Sequence, residues 1–221
     1  MFIFLSIIDF LIITDGRFEP DEFSAKAISQ GVSQKTVNDV FIPLTVGGGI
    51  RSLDDVELLL RSGADKIAIN TEAVKNPNLI SEVAKRFGSQ CMVVSIQAKQ
   101  NNTSWEAYYD NGREHSGLDA IEWAQRAEKL GAGELLVTSV DNEGMAKGFD
   151  CKLIKEITDK VNIPVIISGG MGNLEDFKEV CDLGKPDAVA MAHVLHYDIL
   201  TVKEVKDFAI ANDIHLRHDS E

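Results

Sequence analysis

Short apolar runs alternate with longer amphipathic segments along most of the chain. The runs are mostly unalternating, which is typical of strands covered on both faces of a parallel sheet. They predict strands at 42–46, 66–69, 92–96, 134–138, 163–167 and 187–191. The amphipathic segments between them predict helices, so strand and helix alternate, which favours an α/β fold with a parallel sheet.

The predicted helices have recognisable ends. Ser52 with Asp55 forms a capping-box pattern, and Asp150 and Asn173 are typical N-cap residues. The longest amphipathic run stops at Gly131. These signals divide the chain from residue 41 onward into compact strand and helix units.

One long connection interrupts this regular order. Residues 97–117 lie between a predicted strand and the longest helix, and they include Trp105, Tyr108 and Tyr109. We expect this segment to form a β-ribbon or a lid over one end of the sheet.

Residues 42–71 and 163–193 are two copies of one strand, helix, strand pattern. The same offset of 121 residues relates Gly48 to Gly169 and Gly49 to Gly170. At such a Gly-Gly pair, backbone N–H groups can approach an anion without a Cβ in the way, although the pair can also serve only to turn the chain. Two copies in the same context favour two phosphate sites, and hence a ligand with a phosphate at each end.

The repeat favours closing the sheet into a (βα)8 TIM barrel of two half-barrel repeats over an open dinucleotide-binding sheet, and no G-x-G-x-x-G follows the first strand. We expect residues 1–221 to form a single (βα)-barrel domain. Only six strands are clear after residue 42, and residues 2–13 supply one strand or two very short ones. A weak helical pattern covers 20–30. The first βα unit is therefore lacking, truncated or divergent, and either an unpaired strand edge is exposed or something covers the gap.

Composition excludes several classes of partner. The chain has 22 Lys+Arg against 35 Asp+Glu and a formal net charge of -13, which disfavours nucleic-acid binding. The apolar residues 1–14 contain Asp9 and are too few to span a bilayer, so we expect no membrane segment. Three cysteines without metal-ligand spacing indicate reduced thiols in the cytoplasm, and nothing indicates a metal or a cofactor.

Residues that follow the strands of such a barrel line its active-site rim. His193 at this rim could contact phosphate, transfer protons or simply pack. Asp141 lies in a glycine-containing loop and is either part of an anion-contacting loop or an ordinary loop carboxylate. The other rim candidates with polar side chains are Gln97, Thr138 and Ser168. No paired carboxylates and no Ser/His/Asp set stand at the rim.

Two charged residues begin strands at the opposite end of the predicted barrel. Lys66 starts the strand in ADKIAIN, and Glu134 starts the strand in AGELLVTS. Their side chains either point into that mouth of the barrel or are solvated charges of its bottom face.

Several motifs resemble the cyclase subunit of imidazole glycerol phosphate synthase, the HisF family, over residues 41–217. They are FIPLTVGGGIRS, GADKIAINT, FGSQCMVVSI, GAGELLVTSVDNEG, KGFD and IPVIISGGMG. FGSQ separates this family from the sister isomerase HisA, which shares the repeat. The resemblance implies a (βα)8 barrel, a bisphosphorylated substrate, and ammonia that arrives through the barrel from a HisH-like glutaminase subunit on the N-terminal face.

The resemblance also assigns individual positions. The ammonia-gate charges fall on Lys66 and Glu134. The family's catalytic aspartate, in text like AIDAK, is Gln97 here, and Asp9 matches an aspartate in the family's FLDI text. The family's phosphate contacts fall on Gly49, Asn70, Thr71, Gly144, Gly170, Ala192 and His193.

The default expectation is therefore a cyclase of the carbon–nitrogen lyase class in histidine biosynthesis. Glutamine cannot transfer a proton at neutral pH, so Gln97 argues against the ordinary cyclase mechanism. Two alternatives stay open: a HisF paralogue for amidino modification of a surface sugar, which SIQAK and YDNGREHSGLD resemble, and a non-catalytic barrel that docks and activates the glutaminase.

Overall fold

A computed structural model of the chain describes the backbone of residues 2–6 and 11–14 and the whole of residues 43–216. The first five strands are β1 (Phe2–Ser6), β2 (Leu11–Thr14), β3 (Leu44–Gly47), β4 (Lys66–Ile69) and β5 (Met92–Asn101). The others are β6 (Ser104–Tyr109), β7 (Glu114–Asp119), β8 (Glu134–Ser139), β9 (Val165–Ser168) and β10 (Ala188–Met191).

The described α-helices lie between or after these strands. They are α1 (Leu53–Arg61), α2 (Thr71–Lys75), α3 (Asn78–Phe87), α4 (Ala120–Leu130), α5 (Cys151–Thr158), α6 (Leu174–Leu183), α7 (His193–His196) and α8 (Val202–Ala211). None of these helices is long and apolar enough to cross a membrane.

Eight strands form a closed ring of hydrogen-bonded neighbours. Its order is β1, β2, β3, β4, β5, β8, β9, β10 and back to β1. From β2 to β10 the neighbours are parallel. The six strands predicted after residue 42 are all present, and the α/β barrel class is confirmed. The single-domain assignment stays a prediction, since residues 15–42 and 217–221 lie outside the described part of the chain, as does the helix expected at 20–30.

The place in the ring between β2 and β10 is taken by β1. This strand is antiparallel to both neighbours, with Leu5 opposite Leu11 on one side and opposite Met191 on the other. The four residues 7–10 suffice for an antiparallel connection, whereas a parallel neighbour needs a crossover of a dozen or more residues. Of the two alternatives for the N-terminal segment, two short strands is the correct one, and neither β2 nor β10 has an unpaired edge toward the gap.

The long connection is a β-ribbon. Below the rim β5 pairs with β4, as far as Val94 opposite Ile69. Above that point β6 takes the place of β4 beside β5, from Gln97 opposite Tyr108 to Asn101 opposite Ser104. The ribbon therefore continues the barrel wall upward over the end of β4.

The two repeats use the same local hydrogen bonds. The carboxylate of Asp65 accepts a hydrogen bond from the N–H of Leu44 at 2.8 Å, and that of Asp187 accepts one from Val165 at 2.9 Å. Both α1 and α6 begin with a complete capping box, at Ser52 and at Asn173. The half-barrel repeat seen in the sequence is thus repeated in the side-chain contacts.

Two apolar layers hold the barrel. The larger one lies between the strands and the helices and includes Val46, Ile67 and Trp123. The smaller one lies inside the ring and consists of Ala68, Val93, Leu136, Ile166, Ala188 and Ala190. Half of this inner set, among the side chains that the structure describes, is alanine.

Candidate functional site

Both Gly-Gly turns lie at the same rim of the barrel. Gly48 and Gly49 follow β3, and Gly169 and Gly170 follow β9, so all four residues stand at the carboxyl ends of parallel strands. Each has positive φ, from 64° at Gly49 to 126° at Gly170. Because β3 and β9 are four strands apart in a ring of eight, the two turns face each other across the mouth.

A cavity of about 400 Å³ lies beside the second turn. Five predicted residues line it, namely Gly144, Ser168, Gly170, Ala192 and His193. The His193 ring also packs against Tyr197, with 4.8 Å between ring centroids. The volume is within the range of small-molecule sites.

The remaining predicted contacts stand on the other side of the mouth. Asn70 follows β4 and Thr71 begins α2, near the turn that contains Gly49. The hydroxyl of Thr71 accepts a 3.2 Å hydrogen bond from the N–H of Asp110, in the turn between β6 and β7. The Oδ1 atom of Asn70 is buried and has no hydrogen-bond partner among the described residues.

Gln97 also belongs to this side of the mouth. Its Oε1 accepts a hydrogen bond of 3.0 Å from Nδ2 of Asn70, and the same Nδ2 contacts the carbonyl oxygen of Tyr108 at 3.3 Å. Gln97 therefore fixes the orientation of the Asn70 carboxamide. Thr138 lies opposite Gln97 on β8 and is buried.

Not every glycine of the rim needs a ligand to explain it. A Cβ at Gly170 would lie 2.2 Å from the carbonyl oxygen of Gly148. The N–H of Gly148 in turn donates a 2.9 Å hydrogen bond to the carbonyl oxygen of Gly170. Backbone packing alone thus requires glycine at this position. At Gly144, by contrast, a Cβ would meet nothing within 4 Å.

The loop after β8 contains one predicted carboxylate and one that the sequence analysis missed. Asp141 is exposed, and its Oδ2 accepts a 2.8 Å hydrogen bond from the N–H of Gln100, which braces the ribbon. Glu143, two residues later, lines the cavity. Glu143 is an exposed residue by surface area, yet desolvation of its carboxyl group raises its pKa. Its place in a glycine-containing loop after a strand was the available signal. Asp9 lies outside the described residues.

The two bottom-face charges form an ion pair. Nζ of Lys66 contacts Oε1 of Glu134, and the two side chains are 24% and 18% exposed. Oε2 of Glu134 is buried without a hydrogen-bond partner in the described part of the chain. The pair is therefore partly desolvated, and these residues are not freely solvated surface charges.

Within residues 43–216 no cluster of side chains could hold a metal ion. The three cysteines are free thiols. Burial raises the pKa of Cys151 and of Cys181 to about 11, so neither thiol has the acidity of a nucleophile.

Comparison with known proteins gives consistent matches. The family model for histidine biosynthesis proteins matches residues 20–201. The imidazole glycerol phosphate synthase subunit HisF of Legionella pneumophila is 61% identical over 147 residues, which are 66% of this chain and 69% of the relative. The HisF subunit of Lachnoclostridium phytofermentans is 49% identical over 195 residues, 87% of this chain and 76% of the relative. That of Prochlorococcus marinus is 50% identical over 187 residues, 83% of this chain and 73% of the relative.

Proposed function

The chain belongs to the histidine biosynthesis protein family as a HisF-type subunit of imidazole glycerol phosphate synthase, and we propose that it uses ammonia from a glutaminase partner to convert a bisphosphorylated small molecule. The family's activity is that of a cyclase, and the proposed reaction class is carbon–nitrogen lyase. The observation that carries the substrate class is the position of the two Gly-Gly turns, opposite each other across one mouth.

Each turn belongs to one proposed phosphate site. The first consists of Gly49, Asn70 and Thr71, and the second consists of Gly144, Gly170, Ala192 and His193. Free backbone N–H groups at such turns can hold a phosphate by local hydrogen bonds. A ligand with phosphates at both ends would then have its central atoms over the barrel axis, close to Gln97.

The proposed partner is a HisH-like glutaminase on the N-terminal face. The Lys66–Glu134 pair at that end supports this arrangement, since a desolvated ion pair can open and close without unfolding any strand. The small side chains inside the ring, including Ala68, Ala188 and Ala190, favour passage of ammonia from that face toward the rim.

Gln97 favours a second candidate. Its carboxamide cannot accept or donate a proton as a carboxylate does, so the chain would lack the ordinary acid–base group at this position. Either a HisF paralogue that delivers ammonia for amidino modification of a surface sugar, or a non-catalytic barrel that activates the glutaminase, would tolerate this change.

One experiment separates these candidates. The purified protein is supplied with ammonium salt and the family's bisphosphate substrate, and separately with glutamine and a HisH-like glutaminase. Ammonia-dependent turnover supports the cyclase. Stimulated glutamine hydrolysis without turnover supports the second candidate, and absence of both activities contradicts the HisF assignment of function.

A further inference from the structure

Five polar side chains share one face of the β-ribbon. Direct cross-strand pairing joins Gln97 to Tyr108 and Lys99 to Glu106, and Tyr108 lies opposite His115 on β7. Directly paired residues project to the same face of a sheet. That face is continuous with the barrel interior, because Gln97 on it contacts Asn70 at the mouth. We call these five residues the ribbon cluster.

Three members of the ribbon cluster form a hydrogen-bonded chain. Nδ1 of His115 lies 3.2 Å from Oε2 of Glu106, and Nε2 of His115 lies 3.1 Å from the hydroxyl oxygen of Tyr108. A carboxylate only accepts hydrogen bonds, so Nδ1 of the neutral imidazole must carry the proton. Nε2 is then an acceptor, and the Tyr108 hydroxyl donates to it.

The hydrogen-bonded series of Glu106, His115 and Tyr108 is anchored at both ends. Oε1 of Glu106 accepts a 2.9 Å hydrogen bond from the N–H of Gly117. This bond, together with the contact to His115, lowers the pKa of Glu106, which therefore stays a carboxylate at neutral pH. At the other end, the backbone of Tyr108 is fixed by Asn70.

The exposed fraction of the side chain differs sharply between Tyr108 and His115. Tyr108 is 7% exposed, whereas the His115 side chain is 71% exposed. A proton that reaches the imidazole can therefore pass to water, whereas the Tyr108 side chain is buried. The Lys99 ammonium lies 5.5 Å from the centroid of the Tyr108 ring, within the distance of a cation–π contact.

We propose that Tyr108 is the proton acceptor at this mouth, in place of a carboxylate at Gln97, and that His115 and Glu106 are its positioning residues. In the step, a substrate X–H bond breaks, its electron pair stays on X, and its proton forms a new O–H bond on Tyr108. The original Tyr108 proton moves at once to Nε2 of His115. The resulting imidazolium faces the Glu106 carboxylate and releases the proton to water. This inference rests on the proposed function, because it needs a substrate held over the mouth.

The first test is steady-state kinetics of ammonia-dependent turnover with Tyr108→Phe and its matched control Tyr109→Phe. Tyr109 is the neighbouring phenol, and its ring faces Lys75 instead of His115. Tyr108→Phe should lower kcat by about 100-fold or more with KM nearly unchanged, as for loss of a general base. Tyr109→Phe should change neither. Equal kcat values for the two variants would overturn the proposal.

The positioning role of His115 requires a different readout. In His115→Phe the Tyr108 hydroxyl loses its acceptor, so kcat should fall while KM stays nearly unchanged. His115→Gln keeps an oxygen that can accept from the Tyr108 hydroxyl and should restore part of kcat. An unchanged kcat in His115→Phe, or no recovery in His115→Gln, would overturn the assignment of His115.

A substrate-independent measurement separates this inference from the proposed function. Ring ¹⁵N NMR of His115 should show Nδ1 protonated and Nε2 unprotonated in the wild type, with the Nε2 resonance displaced in Tyr108→Phe and both displaced in Glu106→Gln. If the wild type does not turn over the substrate, the proposed function fails, whatever the NMR result. If turnover occurs but neither substitution moves these resonances, the proton relay alone is refuted.

Discussion

Nδ2 of Asn70 donates a 3.0 Å hydrogen bond to Oε1 of Gln97 and so joins the ends of β4 and the barrel part of β5 at the mouth. The bond places a carboxamide where the family resemblance puts a catalytic aspartate. Gln97 thus has a structural task at the mouth that does not depend on proton transfer.

We expect Gln97→Ala to act on binding more than on chemistry. Without Oε1 the Asn70 carboxamide loses its orienting partner, so KM for the bisphosphate substrate should rise several-fold while kcat changes less than about tenfold. Gln97→Glu keeps the acceptor at the same length and is the matched control for KM. A fall in kcat of about 100-fold in Gln97→Ala would instead show that the side chain takes part in the chemical step.

The Lys66–Glu134 pair should matter more for glutamine-dependent than for ammonia-dependent turnover. Lys66→Ala leaves Glu134 partly buried without its partner, at a cost in unfolding free energy between the about 0–1 kcal/mol of exposed pairs and the about 3–5 kcal/mol of buried ones. If the proposed passage of ammonia from the bottom face is correct, glutamine-dependent turnover with the glutaminase should fall several-fold further than turnover with added ammonium salt. Equal loss in the two assays would contradict the gate.

Asp119 should stabilise α4 in a pH-dependent way. Burial alone would raise its pKa, but hydrogen bonds from the Ser104 hydroxyl and from the N–H groups of Glu122 and Ile121 outweigh burial and hold the pKa of Asp119 below its ordinary value of 3.8. A depressed carboxyl pKa stabilises the fold above the ordinary pKa, and this contribution is lost as pH falls through the folded-state pKa.

The measurement is urea unfolding of Asp119→Ala and Asp119→Asn at pH 7 and at pH 3. Asp119→Ala should lose about 1 kcal/mol at pH 7, as is usual for an N-cap, and less at pH 3. Asp119→Asn keeps an N-cap acceptor without the charge, so its loss should be smaller at pH 7. A loss in Asp119→Ala that is the same at both pH values would argue against the charged form as the source of the stabilisation.

The negative charge of Glu143 should weaken the binding of phosphate in the cavity. Because desolvation raises its folded-state pKa, the stability contributed by Glu143 falls as pH rises from its ordinary pKa of 4.5 through the folded value, and the ionised form at pH 7 is unfavourable. Glu143→Gln should therefore be at least as stable as the wild type at pH 7. It should also bind the bisphosphate substrate a few-fold to about tenfold more tightly in calorimetric titrations, since a negative charge is removed from the cavity.

Glu82→Gln makes the same change of charge at an exposed position on α3 and serves as the control. If both glutamine variants bind the substrate equally well, the effect belongs to net charge and Glu143 does not face a bound phosphate.

Gly170 and Gly144 should respond differently to alanine. Gly170→Ala forces a Cβ to within 2.2 Å of the Gly148 oxygen at a φ of 126°, so it should lower the unfolding free energy by about 3 kcal/mol or more. Gly144→Ala has open space and a φ of 71°, so it should cost about 1 kcal/mol. Thermal and urea unfolding measure both. A weaker affinity for the substrate in the stable Gly144→Ala variant would support the second phosphate site, and an unchanged affinity would count against it.

The elements of the barrel were predictable because their signals are local. The capping box at Ser52 and the left-handed Gly131 are read from a few neighbouring residues, and the structure has both. The repeat also fixed the relation between the Gly48 and Gly169 turns, since parallel strands put their carboxyl ends on one rim. Asp150, expected only as an N-cap, also accepts a hydrogen bond from the indole N–H of Trp105, which lies 45 residues earlier in the sequence.

The details that the sequence did not reveal depend on pairings between distant segments. The apolar residues of β1 carry no information on direction, so an antiparallel closing strand could not be distinguished from a parallel one. Asp141 and Glu143 are close in sequence and equally acidic, yet one braces the ribbon and the other faces the cavity. The contact of Tyr108 with His115 follows a register shift between Ala107 and Tyr108, which local sequence does not determine.

Strand β6 continues the barrel wall above β4 and forms five residue pairs with β5. The ribbon is therefore a fixed extension of the wall and not a hinged flap. An extension of this kind tolerates substitution of its inward-facing side chains without a change of the barrel backbone. With Glu106, Tyr108 and His115 kept, positions 97 and 99 are consequently the place to concentrate a combinatorial library when the aim is to redirect this barrel toward a different acceptor.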